Sequence, residues 1–302
     1  MTLTTTRTAA SPATPPPSPG FTRARIRRRW RAAVLFAVAV AVGATIVIPI
    51  YFGVIGGFKD NAQLSTTPLA LPSPWRVEQY TALLGDVDLF WRRVGSSTFI
   101  GLLTVLITVS VGSLAAYVFA RFSFRGREVM FLIFAAGLMF PPAVAILPLF
   151  IMLGRLQLVN SPFGVILPQA AFALPLTVII LRTYFRTIPA EIEESATLDG
   201  CSTFGTFWRI MLPMARPALA VVSVLALVTS WNNFFLPLVV LTTAQEWWTL
   251  PLGVMRYSGQ YAAEVGRILA YTMLALVPAL AFFFFAERQL VAGIAPSAGQ
   301  KG

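Results

Sequence analysis

A chain of 302 residues that is 57% hydrophobic and only 12% charged, with a mean hydropathy of +0.74, is too apolar for an ordinary soluble domain and belongs in a lipid bilayer. Its net charge of +11 does not point to nucleic acid, because the basic residues flank apolar runs as orientation signals do, rather than interleaving with aromatics on a soluble face. A single cysteine, Cys201, excludes an intrachain disulfide, and the lack of any histidine argues against a metal centre.

Residues 1–31 read as a basic cytoplasmic tail in two parts. The stretch TTTRTAASPATPPPSPG is rich in Pro, Ser and Thr and has too little apolar surface to offset the entropy of ordering, which predicts disorder. RARIRRRWR then abuts the first apolar run, where arginines fix topology and meet anionic lipid. A secretory signal also puts a basic region before an apolar one. Here the apolar region is long and lacks a clear small-residue cleavage site, which favours an uncleaved first span.

Six runs carry no Asp, Glu, Lys or Arg: 32–54, 98–120, 129–153, 163–181, 218–241 and 268–286. Each approaches the ~20 residues that a helix needs to cross a hydrocarbon core of ~30 Å, and backbone groups find no partner in lipid, so the runs predict helices. Sixteen of the 23 Lys and Arg residues fall on segments that share a side with the N-terminus and seven on the other, which predicts both termini in the cytoplasm. Residues 55–97 form the longest outside segment. In it LPSPWRVEQYTALL reads as a turn and a short amphipathic helix, either a cap over the outer mouth or a docking surface for another protein.

The spans hold no ionisable residue of the kind that ion-coupled transporters use to bind and release a driving ion. No GxxxxGK[ST] phosphate loop occurs, and the only lysines are Lys59 and Lys301. Any uphill movement of solute therefore draws its energy from another polypeptide.

The segment 187–216, between the fourth and fifth spans, departs from the rest. Thr187 is placed to cap a helix that Pro189 opens, with Glu191, Glu193 and Glu194 near its N-terminus, where negative charge complements the helix dipole. Asp199-Gly200 ends it, Gly200 suiting a left-handed cap. Ser202 or Thr203 starts a second helix with Phe204, Phe207 or Trp208, and Met211 along one side, Arg209 toward its end and Pro213 as its stop. The expected product is a helix-turn-helix knob whose aromatic side packs on the membrane domain while Glu191 and Glu194 share another face. On these residues alone, a solvated connection remains open.

Glu194-Ser195-Ala196, then Gly200 after three residues, then Ile210-Met211-Leu212-Pro213 after nine more, resembles the EAA loop of ATP-binding-cassette (ABC) importer permeases. RFSFRGR, MFPPAVAILPLFIMLGRLQLVNS, WNNFFLP and the tail LVAGIAPSAGQKG extend the likeness from about residue 32 to the C-terminus. They are similar to the maltose-type, MalG-like carbohydrate permeases. Ser195 stands where that family usually has alanine, and VGSS before the second span replaces its usual Asn-Ser.

The resemblance implies an all-α, polytopic protein of the type I ABC importer permease fold with six transmembrane helices, a permease domain over 32–286, a coupling loop over 187–216 and a cytoplasmic tail over 287–302. It implies a bacterial cell-membrane location and no catalysis or cofactor of its own, ATP being bound by a partner subunit. Glu191, Glu194, Ser195, Ala196, Asp199, Gly200, Ile210, Leu212 and Pro213 would seat in a cleft of the ATPase, and Gly299, Gln300, Lys301 and Gly302 would reach between its two copies. The other implied partners are a second permease in a heterodimer, an extracytoplasmic solute-binding protein and a sugar or oligosaccharide.

Five residues are candidates for the sugar pathway: Gln169, Trp231, Asn232, Asn233 and Phe235. Buried amides need partners, so the asparagines and Gln169 either bond between helices or touch sugar. Trp231, Phe234 and Phe235 either pack or stack on a sugar ring. Pro141-Pro142, Pro148, Pro168 and Pro175 are expected to interrupt two spans, either opening backbone groups to a pathway or merely kinking the helices. A permease for a non-sugar solute, a self-sufficient secondary transporter or channel, and a non-transporting scaffold are the competing readings.

Overall fold

The structure, a computed structural model, describes residues 20–259 and 264–294, and the regular elements among them are all helical. By length and composition four helices suffice to cross a membrane: Arg28–Gly56, Val87–Arg121, Phe163–Thr187 and Val265–Phe282. Two further pairs of helices, Arg127–Met139 with Pro142–Arg155 and Thr203–Met214 with Arg216–Trp231, are bent by 100° and 77°, and the number rises to as many as six only where each pair counts as one span.

The chain divides into two units, Met1–Phe52 and Gly53–Gly302. The described part of the first lies in helix α1 (Gly20–Gly56), whose side chains between Val34 and Ile50 are almost all apolar and exposed. A helix that is apolar all round has no water-facing side, which suits lipid.

In the second unit, the segment before the next long helix folds around a charge. Lys59 is fully buried, and its Nζ donates to the carbonyls of Thr67 at 2.7 Å and Pro68 at 2.9 Å. The neighbouring Asp60 caps α2 (Asn61–Thr66) by accepting the Gln63 N–H, and pairs with Arg76 at 3.1 Å. A short helix, α3 (Glu78–Gly85), follows, and Asp86 caps the π turn that leads into α4 (Arg92–Arg121). These bonds satisfy backbone groups that a loop of this length would otherwise leave open.

The axis of the unit is α4 packed along α7 (Phe163–Thr187). Gly112 permits the close approach, since a Cβ there would lie 2.6 Å from Thr177 Cγ2. Between them run α5 (Arg127–Ala136) and α6 (Pro142–Arg155), bent by 100°. The bend falls where Phe140 and Pro141 take extended backbone, as residues before proline do, and Pro142 opens the next helix. The run 129–153 is thus two helices and not one rod.

Pro148, Pro168 and Pro175, expected to interrupt their spans, lie inside unbroken helices. A proline removes one ladder bond without ending the helix here, and at Pro175 burial accompanies it, with the ring against the Gly137 position. The run 218–241 does break. α11 (Arg216–Trp231) stops before Asn232, and α12 (Phe235–Val240) restarts the helix. α13 (Val265–Ile294) completes the unit.

Candidate functional site

The α7–α11 connection forms a two-helix knob. Thr187 does not cap its first helix; it is the last residue of α7, and its hydroxyl donates back to the Tyr184 carbonyl at 2.7 Å. Pro189 stands at the cap with extended ψ, and α8 (Ala190–Leu198) begins one residue later. At the other end Gly200 has φ +80°, its N–H bonds the Thr197 carbonyl, and the Cys201 N–H bonds the Ala196 carbonyl. That pairing is the Schellman cap, which needs a left-handed residue at this position.

Ser202 then accepts the Gly205 N–H and caps α9 (Thr203–Thr206). A π turn over Phe207–Met211 leads to α10 (Leu212–Met214). Pro213 was expected to stop the helix, yet the helix passes it and turns at Ala215. The wide turn has already shifted the ladder, with the Leu212 N–H bonded to the Phe207 carbonyl.

Within the knob, the structure separates residues that the sequence grouped. Glu191, Glu194, Ser195, Asp199 and Gly200 are exposed, Ile210, Leu212 and Pro213 are half-buried, and Ala196 is buried. Phe207 and Met211, four apart, are buried in a cluster with Tyr117, Leu181, Phe185 and Ala218. Phe204 and Trp208 face the other way, as does Leu198, which is 89% exposed. The knob therefore presents carboxylates beside three large apolar side chains on its free side.

Three residues outside the expected set hold it in place. Glu193 pairs with Arg121 at 2.5 Å and accepts the Tyr117 hydroxyl at 2.9 Å. Nearby, Arg182 donates to both carboxylate oxygens of Glu128 at 2.6 and 2.7 Å, gives its Nε–H to the Phe119 carbonyl, and lies over the Phe131 ring. Glu193 was visible in the sequence only as one acid among three, and Arg121 as an orientation signal.

A cavity of about 390 Å³ lies among α4, α6, α7, α11 and α12. Most of its lining is aliphatic; Gln169, Asn233 and Phe235 also line it, with Thr104, Thr229, Ser230 and Phe172, and among the described residues no ionisable side chain does. Gln169 is 7% exposed; its Oε1 accepts the hydroxyls of Ser230 at 2.5 Å and Thr104 at 3.4 Å, while its buried Nε2 has no partner among the described residues. Asn233 Oδ1 accepts the Leu236 N–H and so helps restart the helix.

Trp231 and Asn232, also expected here, do not line the cavity. Trp231 is buried against Phe282, Leu250 and Tyr271, and Asn232 is exposed elsewhere. The tail residues Gly299, Gln300, Lys301 and Gly302 lie outside the described residues.

A family profile described as "Binding-protein-dependent transport system inner membrane component" matches residues 108–289. The diacetylchitobiose uptake system permease protein of Streptomyces coelicolor is 32% identical over 265 residues, covering 87% of each chain. The arabinooligosaccharides transport system permease protein of Halalkalibacterium halodurans is 32% identical over 88% of this chain and 94% of its own. The trehalose transport system permease protein of Mycobacterium tuberculosis is 33% identical over 76% and 83%. Among solved structures, a chain of a bacterial ABC transporter that imports the acidic polysaccharide alginate superposes with a TM-score of 0.73 at 23% identity, over 91% of this chain and 99% of that one.

Proposed function

We propose, from the premise that this chain belongs to the family of binding-protein-dependent transport system inner membrane components, that it forms half of a membrane pathway for a sugar or oligosaccharide. Membership makes it a multi-pass, non-catalytic permease of an ABC importer. The observation that carries the substrate class is the cavity. Its lining is mostly aliphatic, with two phenylalanine rings, a few hydroxyls and two amides and, among the described residues, no ionised group, which suits an uncharged sugar over a charged solute. The unpartnered Nε2 of Gln169, itself buried, would donate to a sugar oxygen once a side-chain rotation exposed it. Three relatives named for sugar uptake support the same class.

In this reading the other half of the pathway comes from a second, homologous permease, and a binding protein delivers the sugar to the outer face. Two ATPase subunits sit on the cytoplasmic side, where the exposed Glu191, Glu194 and Asp199 with Leu198, Phe204 and Trp208 form the docking surface. Exposed acids combined with large apolar and aromatic side chains suit such an interface. ATP-driven closure of the motor favours the outward-open state and hydrolysis restores the inward-open one, through contacts that differ between the two.

The test is reconstitution of the permease pair with the ATPase and binding protein in proteoliposomes. N,N′-diacetylchitobiose, arabinotriose, trehalose and the acidic trigalacturonate are supplied in turn. Uptake of a neutral sugar, with ATPase stimulation by the loaded binding protein, is the expected result; uptake of none of the neutral sugars refutes the substrate assignment.

A further inference from the structure

We propose that Glu193 is a positioning residue that ties the docking helix to α4, so that α8 and the near end of α4 move as one piece during the transport cycle. The inference rests on the reading of the knob as the ATPase docking element and adds the part that transmits its motion.

α8 carries three glutamates, and two of them, Glu191 and Glu194, are exposed. The third is turned inward, its side chain 19% exposed, and both its oxygens are engaged: Oε1 against Arg121 Nε at 2.5 Å, Oε2 by the Tyr117 hydroxyl at 2.9 Å. Tyr117 and Arg121 lie four apart on one face of α4, the last turn of that helix. Arg121 also donates to the Ile188 carbonyl at 2.6 Å, in the two-residue link between α7 and α8. α4 therefore holds both the helix and its hinge.

A surface that is only pressed transmits a push. A carboxylate held by an ion pair with Arg121, close but not aligned as a hydrogen bond, and by the Tyr117 hydroxyl also transmits a pull, and attraction between charges partly shielded from water is stronger than at an open surface. Without that hold, Ile188 and Pro189 are the two residues at which a rocking motion of α8 would be absorbed. The Arg182–Glu128 clasp and the Arg182–Phe119 bond extend the network to α7 and α5. Motion entering at α8 then reaches α4, α7 and the shorter α5 together.

The experiment uses the assembled transporter in proteoliposomes, with Glu193→Gln, Arg121→Gln and the double variant. ATPase retention is read by pull-down, sugar imported per ATP by the uptake assay above, and the distance from α8 to the chain just past the end of α4 by paired spin labels at Thr197 and Ser123, with and without ATP. Each single variant should keep the ATPase, broaden the distance distribution and lose about fivefold or more in sugar per ATP, the scale of a typical coupling between sites. The double variant should lose no more than either single, because the two residues act as a unit.

Wild-type sugar per ATP in Glu193→Gln, losses that add in the double variant, or release of the ATPase by Glu193→Gln would each overturn the tie. Glu194→Lys separates this from the underlying reading. If it retains both motor and uptake, the docking assignment itself fails; if it sheds the motor while Glu193→Gln couples normally, only the tie fails.

Discussion

Gly200 offers a test in which backbone strain and surface contact give different rankings. Its φ of +80° closes the cap on α8, with the Gly200 and Cys201 N–H groups bonded to the Thr197 and Ala196 carbonyls. A Cβ at this position meets nothing within 4 Å, so substitution costs backbone strain and no collision inside the subunit. For an L-residue in the left-handed region that strain is about 1–2 kcal/mol, more for a β-branched side chain and less for asparagine. A cost of that size lowers the population of the docking-ready turn, and with it the apparent affinity for the ATPase, by up to about five- to thirtyfold. Titrating the ATPase against the detergent-solubilised permease pair should therefore give the order Gly, Asn, Ala, Val from tightest to weakest. If Asn binds as weakly as Val, the partner's surface and not the backbone sets the requirement. If Val binds like wild type, the cap has no part in docking and the reasoning is wrong.

Glu194→Lys should release the ATPase in pull-down, while Glu194→Ala, which removes an attraction without adding repulsion, should only weaken it. Gln169→Leu, which keeps the volume but removes the donor, should raise the apparent KM for the imported sugar by about tenfold, the effect of losing one hydrogen bond of ~1.5 kcal/mol; loss of assembly with unchanged KM in surviving complexes would make Gln169 a packing residue. The Gln63 N–H and the Arg76 guanidinium hold the Asp60 carboxyl below its usual value, so the stability it gives is complete above the ordinary carboxylate range and fades as pH falls through the lowered value. Limited proteolysis of residues 60–77 should accordingly be unchanged from pH 7 to pH 5 and rise only in stronger acid, and Asp60→Asn should abolish that rise.

The helices were legible because lipid leaves the backbone no alternative: an apolar run free of charge has to bond within itself. Their interruptions were not legible in the same way. The extended Phe140–Pro141 pair breaks its run, whereas the single prolines Pro148, Pro168 and Pro175 do not: a double proline disfavours helical backbone at two consecutive residues, a single one at only one. Hydroxyls in spans are ambiguous for a related reason. Thr183 and Ser223 bond back to carbonyls four residues earlier in their own helices, a local option open to any Ser or Thr. Thr104 and Ser230 instead bond Gln169, across 65 and 61 positions of chain. Only the packing of α4, α7 and α11 tells these cases apart. Trp231 and Asn233, nearly adjacent in sequence, diverge because the helix unwinds between them, sending the ring to one cluster and the amide to the cavity. The knob was legible from Gly200, Ser202 and the acids; which glutamate turns inward depends on the phase of α8 against α4.

Tyr117 has a consequence for how such a protein varies over time. Its hydroxyl holds Glu193 on the first helix of the knob, and its ring lies 5.1 Å from that of Phe207 on the second. Replacement by phenylalanine would preserve the aromatic wall and leave the carboxylate with Arg121 alone, while a smaller polar residue would keep a partner for the acid and lose the wall. Neither half of the knob is therefore free to drift alone. Positions 117, 121, 193 and 207 should change together among descendants of this chain, as a set inherited whole.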